Sequence, residues 1–468
     1  MRALGLSLLL TLAACGERLT AAEYAGDERD VDTSDPGQDE IGRELMSLPF
    51  KHVEWEYRFS EYAISRMTLA GSQLFIETPD NFIIAMDRFT GATNWIHKVL
   101  TETPLDWPPV VAHGVPEEKR KLEADLRAIN RQMDDVMKEK GAGPETQKIQ
   151  KKRNEIRERL RVAAFGDNCY FISRQVIYCV DRLSGSLRWS HRLDFIPGAQ
   201  PFAIRNYVFV PGVDLARVWA LDVEEKGKEV TYYRAGIDSR ENQIMNRPLF
   251  DEPSLFFVSH DGNVYCYRVQ DGSLSWTFPT GRELKADPTI HVHREVTRET
   301  TKEGKEKVRE QKTRLLLVGG MDNAFYAVDG DAGSLVWKYE CGAPIKSQAF
   351  ATDRSVFVKT EDGALHALEI MPMHRDPKTN AAQGVRRSGN LRWKLPLGER
   401  FLVKGKDHVY VMGPKNVIFK VEELSGDVLG RYPIEYFQHI MTNPADGMLY
   451  VANGAGYVYC LMESKREF

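Results

Sequence analysis

Few side chains in this chain are spaced for chemistry. His291-Val-His293 puts two imidazoles two residues apart, which on a strand sends both to one side, where they could ligate a metal ion. No third ligand stands with them, so a solvated face of an extended hairpin is the stronger reading. Six cysteines are present, and Cys169 and Cys179 flank a short hairpin in which they could lie opposite each other and form a cross-strand disulfide. Beyond Cys15 the count is odd, which requires at least one unpaired thiol. The sequence holds no His-Glu-x-x-His, no Walker loop and no Gly-x-Ser-x-Gly, and most of its repeated Asp residues fall at turns. No catalytic residue and no metal ligand is therefore nominated, and no cofactor follows from the residues themselves.

Cys15 has a different chemistry. Arg2 precedes an apolar run from Ala3 to Ala14, which is too short to span a bilayer but suits the hydrophobic region of a signal peptide. The run ends in Leu12-Ala13-Ala14-Cys15, similar to the lipobox after which bacteria lipidate the thiol and cleave before it; the alternative is an ordinary secretory signal with a chance cysteine. Residues 1–14 are thus expected to be a lipoprotein signal peptide, with Cys15 the lipidation site. Gly16 follows it rather than Asp, which by the same resemblance directs the protein to the outer membrane, facing the periplasm. Residues 15–50 read as a polar tether, acid-rich through Glu40 and too poor in apolar residues to fold alone. No other segment is apolar enough to cross a membrane, so attachment would rest on the lipid. The formal net charge of -4 argues against nucleic-acid binding by bulk electrostatics.

What positions these residues is a repeat. Ala85-Met-Asp87-Arg-Phe-Thr-Gly91 leads to Trp95, Cys179-Val-Asp181 continues to Gly185 and Trp189, and Ala327-Val-Asp329 continues to Gly333 and Trp337. Gly272 with Trp276, and Gly389 with Trp393, keep the same four-residue offset. Each copy follows an apolar strand, such as Leu255-Phe-Phe-Val258, and a tight turn, such as Asp261-Gly262. Cys179, Cys266 and Cys460 take the place of Ala85, Ala220, Ala327 and Ala367, so they read as small core residues. One such unit cannot bury its own faces, so copies must stack. The last strands carry Trp55, Trp95, Trp189, Tyr232, Trp276, Trp337, Trp393 and a degenerate position near Gly430, which makes eight. Trp55 precedes every complete repeat while the chain ends on inner strands with no Trp strand after them. An all-β, eight-bladed β-propeller over 51–468, closed by the N-terminal strand bearing Trp55, is the expected fold; an open solenoid would not need that lone strand.

Three insertions interrupt the pattern. Between 116 and 162, Leu122, Leu126, Ile129, Met133 and Val136 are spaced four, three, four and three, a coiled-coil heptad seam. Gly141 to Pro144 breaks it, and Ile149, Ile156 and Leu160 continue it, so an antiparallel helical hairpin is expected there. It is either a partner-binding arm, with the five seam residues its candidates, or a decoration whose seam is satisfied internally. Residues 289–317, around Lys302-Glu-Gly-Lys305, read as an extended β-hairpin, and 371–388 as a loop.

The pattern Ala-x-Asp-x-x-Thr-Gly-x-x-x-Trp resembles the repeat of the pyrroloquinoline quinone (PQQ) β-propeller family, over most of the chain from about Trp55 to Leu461. That family includes quinoprotein dehydrogenases and non-catalytic envelope scaffolds, so the fold does not fix the function. The dehydrogenases, by resemblance, place an adjacent Cys-Cys disulfide over PQQ and often add Cys-x-x-Cys-His; neither pattern occurs. Lipobox, tether and eight blades together resemble the β-propeller lipoproteins of the bacterial outer-membrane protein assembly machinery, from whose compact pattern the helical hairpin departs. The resemblance implies a non-catalytic scaffold that binds envelope proteins, an outer-membrane barrel assembly complex among them; the alternative is a PQQ-binding quinoprotein oxidoreductase or sensor.

Overall fold

The structure, a computed structural model, describes residues 36–59, 63–98, 105–113, 116–140, 143–163, 165–204, 206–213, 216–235, 244–300, 306–375 and 382–464. Residues 1–35 lie outside these, and with them the signal peptide, Cys15 and the first part of the tether. The second strand of each repeat is the most apolar, and the fold explains why. Gln73–Glu77 and Ser254–Val258 are buried along their whole length because sheets cover both their faces. Last strands such as Leu187–Arg192 alternate instead between exposed and half-buried positions.

Eight four-stranded antiparallel sheets result, in chain order blade 1 (66–98), blade 2 (110–192), blade 3 (202–234), blade 4 (249–279), blade 5 (289–340), blade 6 (350–396), blade 7 (400–433) and blade 8 (439–462). Blade 8 takes its fourth strand from the other end of the chain. His52–Arg58 pairs antiparallel with Tyr457–Met462 and sets Trp55 opposite Cys460, as Trp95 stands opposite Ala85 and Trp189 opposite Cys179. The ring closes and its edges are removed. The core is eight apolar clusters, one at each seam between neighbouring blades.

Three helices are described: α1 (Pro36–Ser47), α2 (Pro116–Lys140) and α3 (Pro144–Ala163). Helix α1 corrects the extent of the tether. Residues 36–50 are docked, with Ile41, Leu48 and Phe50 buried among side chains of blades 7 and 8 and Phe50 4.5 Å from the Tyr410 ring. Both carboxylate oxygens of Glu44 accept backbone N–H bonds, from Glu435 at 3.2 Å and Tyr436 at 2.7 Å. This is the seam where Gly430 replaces the Trp, opposite Lys420, and α1 supplies the missing apolar volume.

Two further expectations are corrected by register. Cys169 pairs with Val180 and Cys179 with Tyr170, so the two thiols lie on opposite faces of blade 2, Cys169 in the seam with blade 1 and Cys179 in the seam with blade 3. All five described cysteines are free and buried, and the disulfide does not form. In blade 3, Tyr232 packs beside Trp219 and is largely exposed, while its neighbour Tyr233 is buried against Phe209, Phe257 and Tyr265 in the seam with blade 4. Tyr233, not Tyr232, fills the gap.

Candidate protein-binding surfaces

The nominated repeat residues sit together between blades, and their work there is mechanical. Asp87 Oδ1 accepts hydrogen bonds from the Phe89 and Thr90 amides at 3.0 and 2.9 Å, folding the turn that carries Gly91. Asp181 and Asp329 do the same, with the amides of Ser184 and Ala332 each at 2.8 Å. Each turn then receives the indole of the preceding blade. Trp55 Nε1 donates to Arg88 O at 3.0 Å, Trp95 to Arg182 O at 2.8 Å, Trp337 to Ile370 O at 3.0 Å and Trp393 to Glu423 O at 2.9 Å.

The glycine is required by contact and by conformation alike. Gly185 has φ +66°, and a Cβ there would lie 2.6 Å from Trp95 Cγ. Gly91 meets Trp55 and Gly333 meets Trp276 in the same way, while Gly389 meets Tyr339 and Trp337 by contact alone. Gly272 differs: blade 3 offers no Trp to it, and nothing lies within 4 Å of its absent Cβ. Asp, Gly and Trp thus form a lock between blades, and none of them is directed at a ligand. The pairing of Gly91, Gly185, Gly333 and Gly389 each with the Trp of the preceding repeat, 36 to 90 residues earlier, was not read from the sequence, although the spacing of the repeat contains it.

In the helical hairpin, Leu122, Ile129 and Met133 of α2 are buried against Ile149 and Ile156 of α3, with Leu126 and Val136 packed on the same cluster. The five arm candidates therefore face the other helix. What the arm offers outward is charge, including the exposed Arg127, Arg131, Lys148, Lys151 and Lys152. At 1.5 Å per residue α2 extends about 37 Å, well beyond a blade. In blade 5, Thr289–Thr300 and Glu306–Gly319 stay in unbroken register from Thr289↔Leu317 to Thr300↔Glu306. The turn around Lys302 to Lys305 lies outside the described residues. The third insertion, read as a loop, contains a short hairpin, Met373–Arg375 paired with Ala382–Val385.

On the ring axis the first strands of blades 1 to 6, or the residues just before them, line a cavity of about 310 Å³ that includes Gln200, Phe202, Arg247, Asp287 and Gln348. Arg247 lies over the Phe202 ring at 5.4 Å, its Nε has no partner, and burial lowers its basicity against the opposing pull of Asp287. This donor set does not fit PQQ with a calcium ion, because it holds a single carboxylate where calcium takes several oxygen ligands. Among the described residues no group of three or more His, Cys, Asp or Glu side chains could hold a metal ion. Among the described residues no third ligand stands with His291 and His293, and burial lowers the His291 pKa. Among the described residues no helix is long and apolar enough to cross a membrane.

Comparison with known proteins agrees with the architecture. Residues 301–372 match the family described as outer membrane protein assembly factor BamB. The crystal structure of BamB from Moraxella catarrhalis is similar with a TM-score of 0.56 at 12% identity, covering 89% of this chain and 99% of that one. The computationally designed protein Ika8 covers 86% of this chain and 96% of its own, at 12% identity and a TM-score of 0.48. No curated protein matches the sequence. The chain has an eight-bladed β-propeller fold similar to that of BamB.

Proposed function

We propose that the protein is a non-catalytic scaffold of the bacterial cell envelope, held to the outer membrane by a lipid on Cys15 and facing the periplasm, where it binds other envelope proteins engaged in outer-membrane protein assembly. One observation carries this reading: the repeat residues are used up in locking the blades, while a helical arm and a long hairpin extend from the locked ring and a third insertion enters at blade 6. A rigid ring with projecting elements suits simultaneous contact with several partners. The BamB-like fold supports the process, and the lipobox supports the location. Because the seam of α2 and α3 is satisfied internally, contact through the arm would use its outward charged faces.

The test is purification of the intact lipoprotein from detergent-solubilised envelopes beside a variant lacking 116–162, with identification of what co-purifies. An outer-membrane barrel assembly protein with the intact form, lost from the variant, is the expected result. Recovery of no specific protein with either form would overturn the scaffold reading.

A further inference from the structure

Strand alternation puts the three insertions on the same side of the ring. In a four-stranded antiparallel blade the connections after the first and third strands emerge on one face, and those after the second and fourth on the other. The helical arm follows the first strand of blade 2, the long hairpin joins the first and second strands of blade 5, and the segment 371–388 follows the third strand of blade 6. All three therefore leave by one face. The chain enters the ring there too, because His52, where α1 leads into the closing strand, pairs with Met462 at the end of the third strand of blade 8.

The insertions also share a sign of charge. Residues 116–163 hold fourteen Lys and Arg against ten Asp and Glu, 289–319 hold eight against five, and 371–388 hold four against one. The insertions are thus net +10 in a chain whose formal charge is -4, which leaves the remainder at -14. Helix α3 alone has seven basic residues against three acidic, with Lys148, Lys151 and Lys152 exposed together on one face at helical spacing. Arg386 and Arg387 are exposed on the third insertion, and Arg294 stands opposite Lys312 in the ladder of the second. The described turns between second and third strands, on the other face, carry five Asp and Glu against two Lys and Arg, and the short turns of the insertion face are acidic as well, so the basic excess belongs to the insertions alone.

We infer that this face docks on an anionic phospholipid bilayer, with the helical arm as the main contact and the other two insertions adding to its field. Basic side chains concentrated on projections complement a layer of phosphate headgroups, and the lipid proposed for Cys15 would hold the same face toward the membrane. The inference goes beyond the scaffold reading and leaves the opposite face for protein partners.

The test uses the chain from residue 36, which contains every strand of the ring, in flotation with vesicles of phosphatidylcholine alone or with one third phosphatidylglycerol. Binding to the anionic vesicles only, released by added salt, is expected. At roughly fivefold per basic residue, K148Q/K151Q/K152Q should weaken partition about a hundredfold and R386Q/R387Q about twentyfold. All five side chains are exposed, so an unchanged circular-dichroism spectrum should accompany the loss. Equal binding to both vesicle types, or full binding by the triple variant, would overturn the inference. So would weak binding by a chain from residue 16, because 16–35 carries seven acidic residues against two basic and would then itself occupy the face. Loss of a co-purifying protein from the triple variant with vesicle binding intact would make the arm a protein site instead. Vesicle binding without any co-purifying protein would leave the inference standing and remove the scaffold.

Discussion

Substituting Gly185 by Ala tests the lock, and Gly272 supplies its control. Both glycines have nearly the same backbone, φ +66° and +69°, so an added methyl meets the same left-handed penalty of about 1–2 kcal/mol at each. Their surroundings differ. At Gly185 the Cβ would lie 2.6 Å from Trp95 Cγ and 2.8 Å from Trp95 Cβ, contacts that force the indole or the turn to move, whereas at Gly272 nothing lies within 4 Å. Overpacking of this kind costs about 1–3 kcal/mol, so Gly185→Ala should destabilise by about 2–5 kcal/mol and Gly272→Ala by only about 1–2. Urea unfolding followed by circular dichroism measures both. An eight-bladed ring can unfold in stages, so the first transition is the one to compare. A second arm removes the obstacle: in a Trp95→Gly background, which takes away the Cβ as well as the indole, the added cost of Gly185→Ala should fall to that of Gly272→Ala. Equal costs at the two glycines in the native background, or no relief when Trp95 is truncated, would refute the lock.

Two further outcomes follow from the same seams. Trp393→Phe should cost about 1–3 kcal/mol, because it removes the 2.9 Å bond to Glu423 O and leaves that carbonyl without its donor, while Trp276→Phe, whose Nε1 has no partner, should cost less in the same urea assay. Between blades 7 and 8, burial raises the pKa of Glu463, but hydrogen bonds from Tyr410 and Lys420 and the nearby His408 outweigh it and hold the carboxyl below its ordinary value. A depressed folded pKa stabilises above the unfolded value of about 4.3 and is lost as pH falls through the folded one. The urea midpoint should therefore drop on acidification below about pH 4.3 more steeply in the native protein than in Glu463→Gln; parallel curves would remove Glu463 from the seam's energetics.

The ring was legible because its unit recurs along the chain, five times with Gly and Trp four residues apart, and because Trp55 stands alone before the first complete repeat. Ala85 and Cys460 being interchangeable opposite a Trp follows from their size alone. Where reading failed, register or distance was responsible. A one-residue slip reverses every side chain of a strand, which separates Cys169 from Cys179, and the turn after Asp222 is one residue longer than the turn after Asp87, so that Thr231 stands opposite Ala220 and Tyr233, two residues on, rather than Tyr232 turns inward. Residues 36–50 looked like tether because the surfaces that bury Ile41, Leu48 and Phe50 belong to blades nearly four hundred residues away, and nothing local announces them. The arm's seam was legible as a seam but not as closed, since closure depends on how α3 is rotated against α2.

The lock also explains where the ring accepts additional chain. Blade 6 carries its insertion inside the motif turn itself, between Ile370, whose carbonyl receives Trp337 Nε1, and Gly389, on which the same indole rests. The eighteen residues from 371 to 388 enter between two contacts with one side chain, and both contacts survive. The helical arm and the long hairpin use the connection after the first strand, which the indole does not touch. Insertions of either kind leave the seam clusters unbroken, so the side chains that hold the ring and those that project from it can change independently. A net +10 could accumulate on the insertions of an otherwise acidic protein while the seam clusters stay apolar, Arg314 at the blade 4–5 seam being paired with Asp251.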